Sequence, residues 1–109
     1  MKSVNIGNLA VRPLPREIVG KVSCTHCRVR PARWEINDWS YGCSFCFLYG
    51  MDMLKEQQEA LVAMVEGVEQ NIGEVFPRVD GVLAREEDAD RIAMGIVMAQ
   101  RFELARGLR

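Results

Sequence analysis

Cys24 and Cys27, then Cys43 and Cys46, form two Cys-x-x-Cys pairs with fifteen residues between them. In a chain of 109 residues no other feature restricts the fold as strongly. Each such turn presents two sulfurs to one ion, and a second turn closes a tetrahedral sphere, the arrangement zinc takes in structural sites. No cysteine is left over, and the pairing reads as thiolate ligands in a reducing compartment, not as a disulfide framework. Iron in a rubredoxin-like site and a redox dithiol are the competing readings of the same pattern. The expectation is structural Zn2+ held by Cys24, Cys27, Cys43 and Cys46. A sphere filled by four thiolates has no open position for substrate, so no catalytic residue is expected.

His26, the only histidine, lies between the first two ligands. With Cys24 and Cys27 already satisfying the turn, it is expected to point outward. The enzymatic alternative, a His-metal nuclease, would need His26 as general base beside a second metal site, and partners for that role are not evident. There is no Gly-rich phosphate loop, and one histidine gives no Ser-His-Asp set. Glu86, Glu87, Asp88 and Asp90 read as the solvated start of a helix. The sequence therefore predicts a protein that is not an enzyme.

A chain this short is expected to be a single domain, 1–109, whose core alone is marginal, so a metal clip adds materially to stability. Although 49% of residues are apolar, no run approaches the ~18 needed to span a membrane, and no basic region precedes an apolar stretch at the N-terminus. A cytoplasmic protein without a membrane role is expected. The net charge of −1 conceals a polarity. Residues 1–50 carry seven Lys or Arg against three acidic residues, and residues 51–109 carry seven against twelve. The cysteine half is thus mildly basic and the tail acidic.

Along the chain, Val4, Ile6, Leu9 and Val11 precede Pro13 and Pro15, suggesting a single early strand cut short by the prolines. Between the cysteine pairs, Arg33-Trp34-Glu35-Ile36 alternates as a strand should, Asn37-Asp38 favours a turn, and Trp39 and Tyr41 suit a returning strand. After Cys46 the period changes. Leu54, Leu61, Val65, Val68 and Ile72 recur at helical spacing, predicting a helix over 52–73 with Asp52 as N-cap and Gly73 as exit. A second helix is predicted from Leu83 to Arg106, acidic at its start and basic at its end as the macrodipole prefers. Folded together, the two make a helical hairpin over 52–106, with Gly95 and Ala99 allowing close approach.

The order knuckle, hairpin, knuckle, helix resembles a treble-clef zinc finger, in which the second cysteine pair sits at the N-terminus of a helix. Cys24-Thr25-His26-Cys27 with Pro31-Ala32 beyond it is similar to the finger of bacterial protein-arginine kinase activators. The likeness covers residues 22–60. Gly50 departs from the continuous helix such fingers carry after Cys46. A zinc ribbon, with both knuckles on hairpins, is the alternative architecture. The fold class expected is α+β: a small zinc finger over 22–50 followed by the helical hairpin. The resemblance implies binding of DNA, RNA or protein more than any one task.

Two surfaces are candidates for that binding. Arg28, Arg30 and Arg33 with Trp34 and Trp39 form a basic and aromatic set able to grip phosphates and stack on bases, the nucleic-acid alternative. The helical half offers an apolar stripe of Leu61, Val65, Ile92, Ile96 and Phe102, broadened by Met94, Met98 and Ala105 and suited to a homodimer or a docked protein. The primary reading is a non-catalytic regulatory module that binds a protein partner. Arg outnumbers Lys eleven to three, which agrees with a GC-rich bacterial genome or its phage.

Overall fold

A computed structural model describes residues 3–6, 9–50 and 55–107, the last five as backbone only. Four short strands, β1 (Val4–Ile6), β2 (Leu9–Pro13), β3 (Trp34–Ile36) and β4 (Ser40–Gly42), form one antiparallel sheet in the order β1-β2-β3-β4. The expected single early strand is thus a pair, and β2 joins it to the hairpin between the cysteines. Pro13 is tolerated although pairing with β3 continues beyond it, Leu14 N–H donating to Arg33 O at 3.1 Å, because it stands at the strand end, past Val11 where the register with β1 stops.

The register Val4↔Val11↔Ile36↔Ser40 aligns four buried residues on one face of the sheet. Pro13↔Trp34↔Gly42 adds a second row on that face. On the opposite face Arg12 pairs with Glu35 across the strands at 2.6 Å. The β3–β4 turn carries Asn37 and Asp38 at φ 55° and 64°, the left-handed pair that matches the twist of a tight hairpin. At Gly42 a Cβ would come within 2.7 Å of Ile36 Cδ1, so any side chain there would have to displace the end of the buried Ile36 side chain.

Helical backbone resumes immediately after Cys43. Ser44 and Phe45 are α-helical and Cys46–Gly50 form a π-helical turn, earlier than the start expected at 52. The predicted Asp52 cap, with Met51 and Met53, lies outside the described residues. Helix α1 spans Lys55–Ile72, and Gly73 follows at φ 70°, a left-handed helix exit.

The predicted second helix is shorter at its start. Leu83 belongs instead to a two-stranded hairpin, β5 (Arg78–Val79) and β6 (Val82–Leu83), turned at Asp80-Gly81 with φ 53° and 80°. Helix α2 then runs Glu86–Gly107. Leu61 and Val65 of α1 join Ile92, Ile96 and Val97 of α2, the sheet residues and Phe47 in one core. Gly95 faces Val68 of α1, where a Cβ would make an ordinary van der Waals contact at 3.6 Å, so the helices do not approach closely enough there to require a glycine. Among the described residues no helix is long and apolar enough to cross a membrane.

Candidate metal centre

The first knuckle is a tight loop held by a bridge between Ser23 and Pro31. Cys24 N–H donates to Arg30 O at 2.9 Å and Ala32 N–H to Val22 O at 2.8 Å. Arg28 takes φ 59°, which lets the chain reverse within so few residues. Thr25 fixes the loop to β4, its N–H donating to Tyr41 O at 2.8 Å while its hydroxyl accepts from Tyr41 N–H at 3.2 Å. Strand β4 then delivers Cys43 to the first turn of the helical segment, where Phe47 N–H donates to Cys43 O.

Both knuckles repeat one device. Cys27 N–H points at Cys24 Sγ at 3.5 Å, and Cys46 N–H at Cys43 Sγ at 3.4 Å. Backbone donors aimed at sulfur favour the thiolate, the form that ligates metal. All four sulfurs lie within 4.8 Å of one another, with Cys27 and Cys43 at 3.9 Å. A zinc–sulfur bond of about 2.3 Å implies tetrahedral edges of about 3.8 Å, so the set fits a tetrahedral ion with little adjustment. The cysteines are free thiols, not disulfides. The four together can bind one metal ion.

Their environments differ. Cys24, Cys43 and Cys46 are buried and Cys27 is partly exposed. Burial pushes the Cys27 thiol up, but the N–H groups of Arg30 and Val29, with Cys24 and Cys43, more than offset this and bring it down to about 6. At Cys43 burial prevails over the Cys46 amide and raises the thiol. Cys46 is raised further, first by burial and then by Cys43 and Cys24. The compensating cation is Arg30. Burial opposes its charge, yet contact with Cys43 and Cys27 holds the guanidinium more firmly protonated than usual. It also lies 4.3 Å from the Phe45 ring. A tetrathiolate ion carries a formal −2 for zinc, so a fixed cation beside two of the sulfurs lowers the cost of gathering them.

Several expected surface residues have other work. His26 is exposed and outside the sulfur cluster. Trp34 is 2% exposed and stacks on Phe47 with ring centroids 5.7 Å apart. It belongs to the core because its place on β3 faces the buried side of the sheet. Arg30 faces the sulfurs, Arg33 pairs with Asp90 at 3.6 Å, and Arg28 and Trp39 are exposed. The proposed basic and aromatic grip is therefore divided among core, metal centre and ion pair. Likewise Leu61, Val65, Ile92 and Ile96 are consumed by the intramolecular core, leaving Phe102 exposed.

One link was absent from the sequence reading. Trp34 Nε1–H donates to Ser44 Oγ at 2.9 Å, and the Ser44 hydroxyl donates to Asp90 Oδ1. Asp90 is not a solvated helix residue but ties the second knuckle to α2, with Arg33 as its counter-ion. Asp88 is also buried and accepts from Arg85 at 2.9 Å. Nothing in the spacing of the chain flags a contact between residues 44 and 90. Compared with protein families, curated proteins and solved structures, the chain matches none.

Proposed function

We propose that the four cysteines hold one zinc ion as a structural centre in a treble-clef-like finger, and that the chain is a non-catalytic module that binds a protein partner. The observation that carries this reading is the closed all-sulfur set, four donors within 4.8 Å with an N–H aimed at one sulfur of each pair. Four thiolates complete zinc's preferred sphere, so the ion braces and does not react. The second pair at the start of a helical segment, with a hairpin between the pairs, supports a treble clef over a ribbon. A protein partner is favoured over nucleic acid because Arg30, Arg33 and Trp34 are already engaged within the chain.

Elemental analysis of natively purified protein, with and without Cys43→Ser, tests the centre. One zinc per chain is expected in the native protein. The variant should lose it together with the cooperative urea transition, because zinc binding energy is folding energy in sites of this type. A variant that keeps one zinc and an unchanged melt would defeat the structural-centre reading.

A further inference from the structure

The four sulfur donors are unequal in access. Cys24, Cys43 and Cys46 are 1%, 0% and 6% exposed, and Cys27 alone of the four is partly open to solvent. It stands in a loop whose Thr25, His26, Arg28 and Val29 are all exposed, so a small polar reagent reaches the set at Cys27. The Cys27 sulfur lies 3.9 Å from that of Cys43, on the other knuckle. A disulfide bond is about 2.05 Å long, so joining this pair takes an approach of about 1.9 Å by its exposed member. Arg30 lies against the same two sulfurs and over the Phe45 ring at 4.3 Å, a fixed cation beside the place where negative charge would depart.

Resting on the zinc-centre reading above, we propose that Cys27 is a peroxide-reactive thiolate and Cys43 its resolving partner, so that a hydroperoxide converts these two ligands into a disulfide between the knuckles. Ligation keeps both sulfurs as thiolates, the nucleophilic form. Cys27 Sγ attacks one oxygen of hydrogen peroxide: an S–O bond forms, the O–O bond breaks, and hydroxide leaves beside Arg30, giving a sulfenic acid. Cys43 Sγ then attacks the Cys27 sulfur: the S–S bond forms, the S–O bond breaks, and a second hydroxide leaves. The sulfur pair has given two electrons to the peroxide oxygens, and each hydroxide takes its proton from solvent.

Cys24 and Cys46 alone do not complete a tetrahedral sphere, so the oxidised chain gives up its ion. The new bond closes the chain from residue 27 to residue 43 around β3 and β4, which keeps the hairpin and both knuckles together until a thiol reductant restores the four donors.

The test exposes the zinc-loaded full chain to hydrogen peroxide, follows zinc release with a chromogenic chelator, and maps disulfides after alkylation and trypsin cleavage. Cleavage after Lys21 and Arg28 frees residues 22–28 with Cys24 and Cys27, and cleavage after Arg33 and Lys55 frees residues 34–55 with Cys43 and Cys46. Zinc release should accompany a cross-link between these two peptides, placed by fragmentation at Cys27 and Cys43, and a reductant should reverse both. Cys27→His exchanges the reactive sulfur for an imidazole and leaves a three-cysteine, one-histidine set that zinc accepts. It should keep its zinc and slow peroxide-driven release at least about tenfold, whereas Cys46→His should release zinc within about threefold of the native rate and form the same bond. Should either variant fail to hold zinc, the cross-link map of the native chain decides alone. Native protein isolated without zinc overturns the structural-centre reading and this inference with it. Zinc that stays bound in peroxide, a disulfide confined to one peptide, or equally fast release from Cys27→His overturns the inference and leaves the structural centre standing.

Discussion

Replacing Ser44 by Ala removes a single oxygen and no carbon, so it creates no appreciable cavity. What it strands is the Trp34 Nε1–H, whose acceptor at 2.9 Å is that oxygen and whose residue is 2% exposed. An unsatisfied buried donor costs about 1–3 kcal/mol. Asp90 loses its hydroxyl donor too, but its side chain is 28% exposed and keeps Arg33 at 3.6 Å, so that loss is about 1 kcal/mol. The expected destabilisation is roughly 2–4 kcal/mol, a large part of the ~5–15 kcal/mol that holds a domain together. In melting temperature this is a fall of roughly 8–16 °C at about 4 °C per kcal/mol.

Urea titration of the zinc-loaded protein, followed by tryptophan fluorescence, measures the change directly, with zinc content as the control. Combined with Asp90→Asn, the serine variant should give a non-additive cycle with a coupling of about 0.5–3 kcal/mol. A destabilisation below about 0.5 kcal/mol, or strict additivity, would refute the reasoning that this hydroxyl joins the second knuckle to α2. Zinc loss in the serine variant would refute it differently, by placing the serine's role at the metal.

Zinc uptake at pH 7 should release protons from Cys43 and Cys46, whose thiols burial raises, and almost none from Cys27, already deprotonated with its value near 6. Calorimetry in buffers of different ionisation enthalpy reads that release, and apparent affinity should fall as the pH is lowered. Glu35 gives a second pH signature. The hydrogen bond from Arg12, against an opposing contribution from burial, holds its carboxyl below the ordinary 4.5. A depressed folded value means this stabilisation is present above pH 4.5 and disappears as the pH falls through the folded value. Glu35→Gln should therefore flatten that part of the acid limb of stability against pH, and an identical acid limb in the variant would show that the pair contributes nothing.

Much of the centre was legible because its signals are local. The Cys-x-x-Cys spacing dictated which sulfurs converge, and the alternation of Trp34-Glu35-Ile36 before Asn37-Asp38 dictated the hairpin between them. Both helices showed in their 3.6-residue period. The β5–β6 hairpin had a local signal as well, Asp80-Gly81 between valines, but it was hidden inside what read as a plain helix connection. Gly7-Asn8 between Ile6 and Leu9 is a comparable hairpin cue, masked by the nearby Pro13 and Pro15. Other features had no local signature. Arg30 rather than Arg28 meets the sulfurs because Arg28 occupies the left-handed position of the loop. The Ser44–Asp90 contact spans 46 positions, and only the packing of α2 against the knuckle brings it about.

The place of β3 inside the sheet, with β2 on one side and β4 on the other, bears on how the molecule can be divided. A fragment cut at 22–50 would retain every sulfur donor but lose the backbone partners that Val11, Arg12 and Pro13 give to Ile36, Glu35 and Trp34. Its middle strand would become a bare rim with an open row of amide and carbonyl groups, the kind of border on which chains stack and precipitate. The smallest piece that keeps β3 covered on both sides begins upstream of Leu9, so ion and β2 should be inherited, transplanted or lost as one unit.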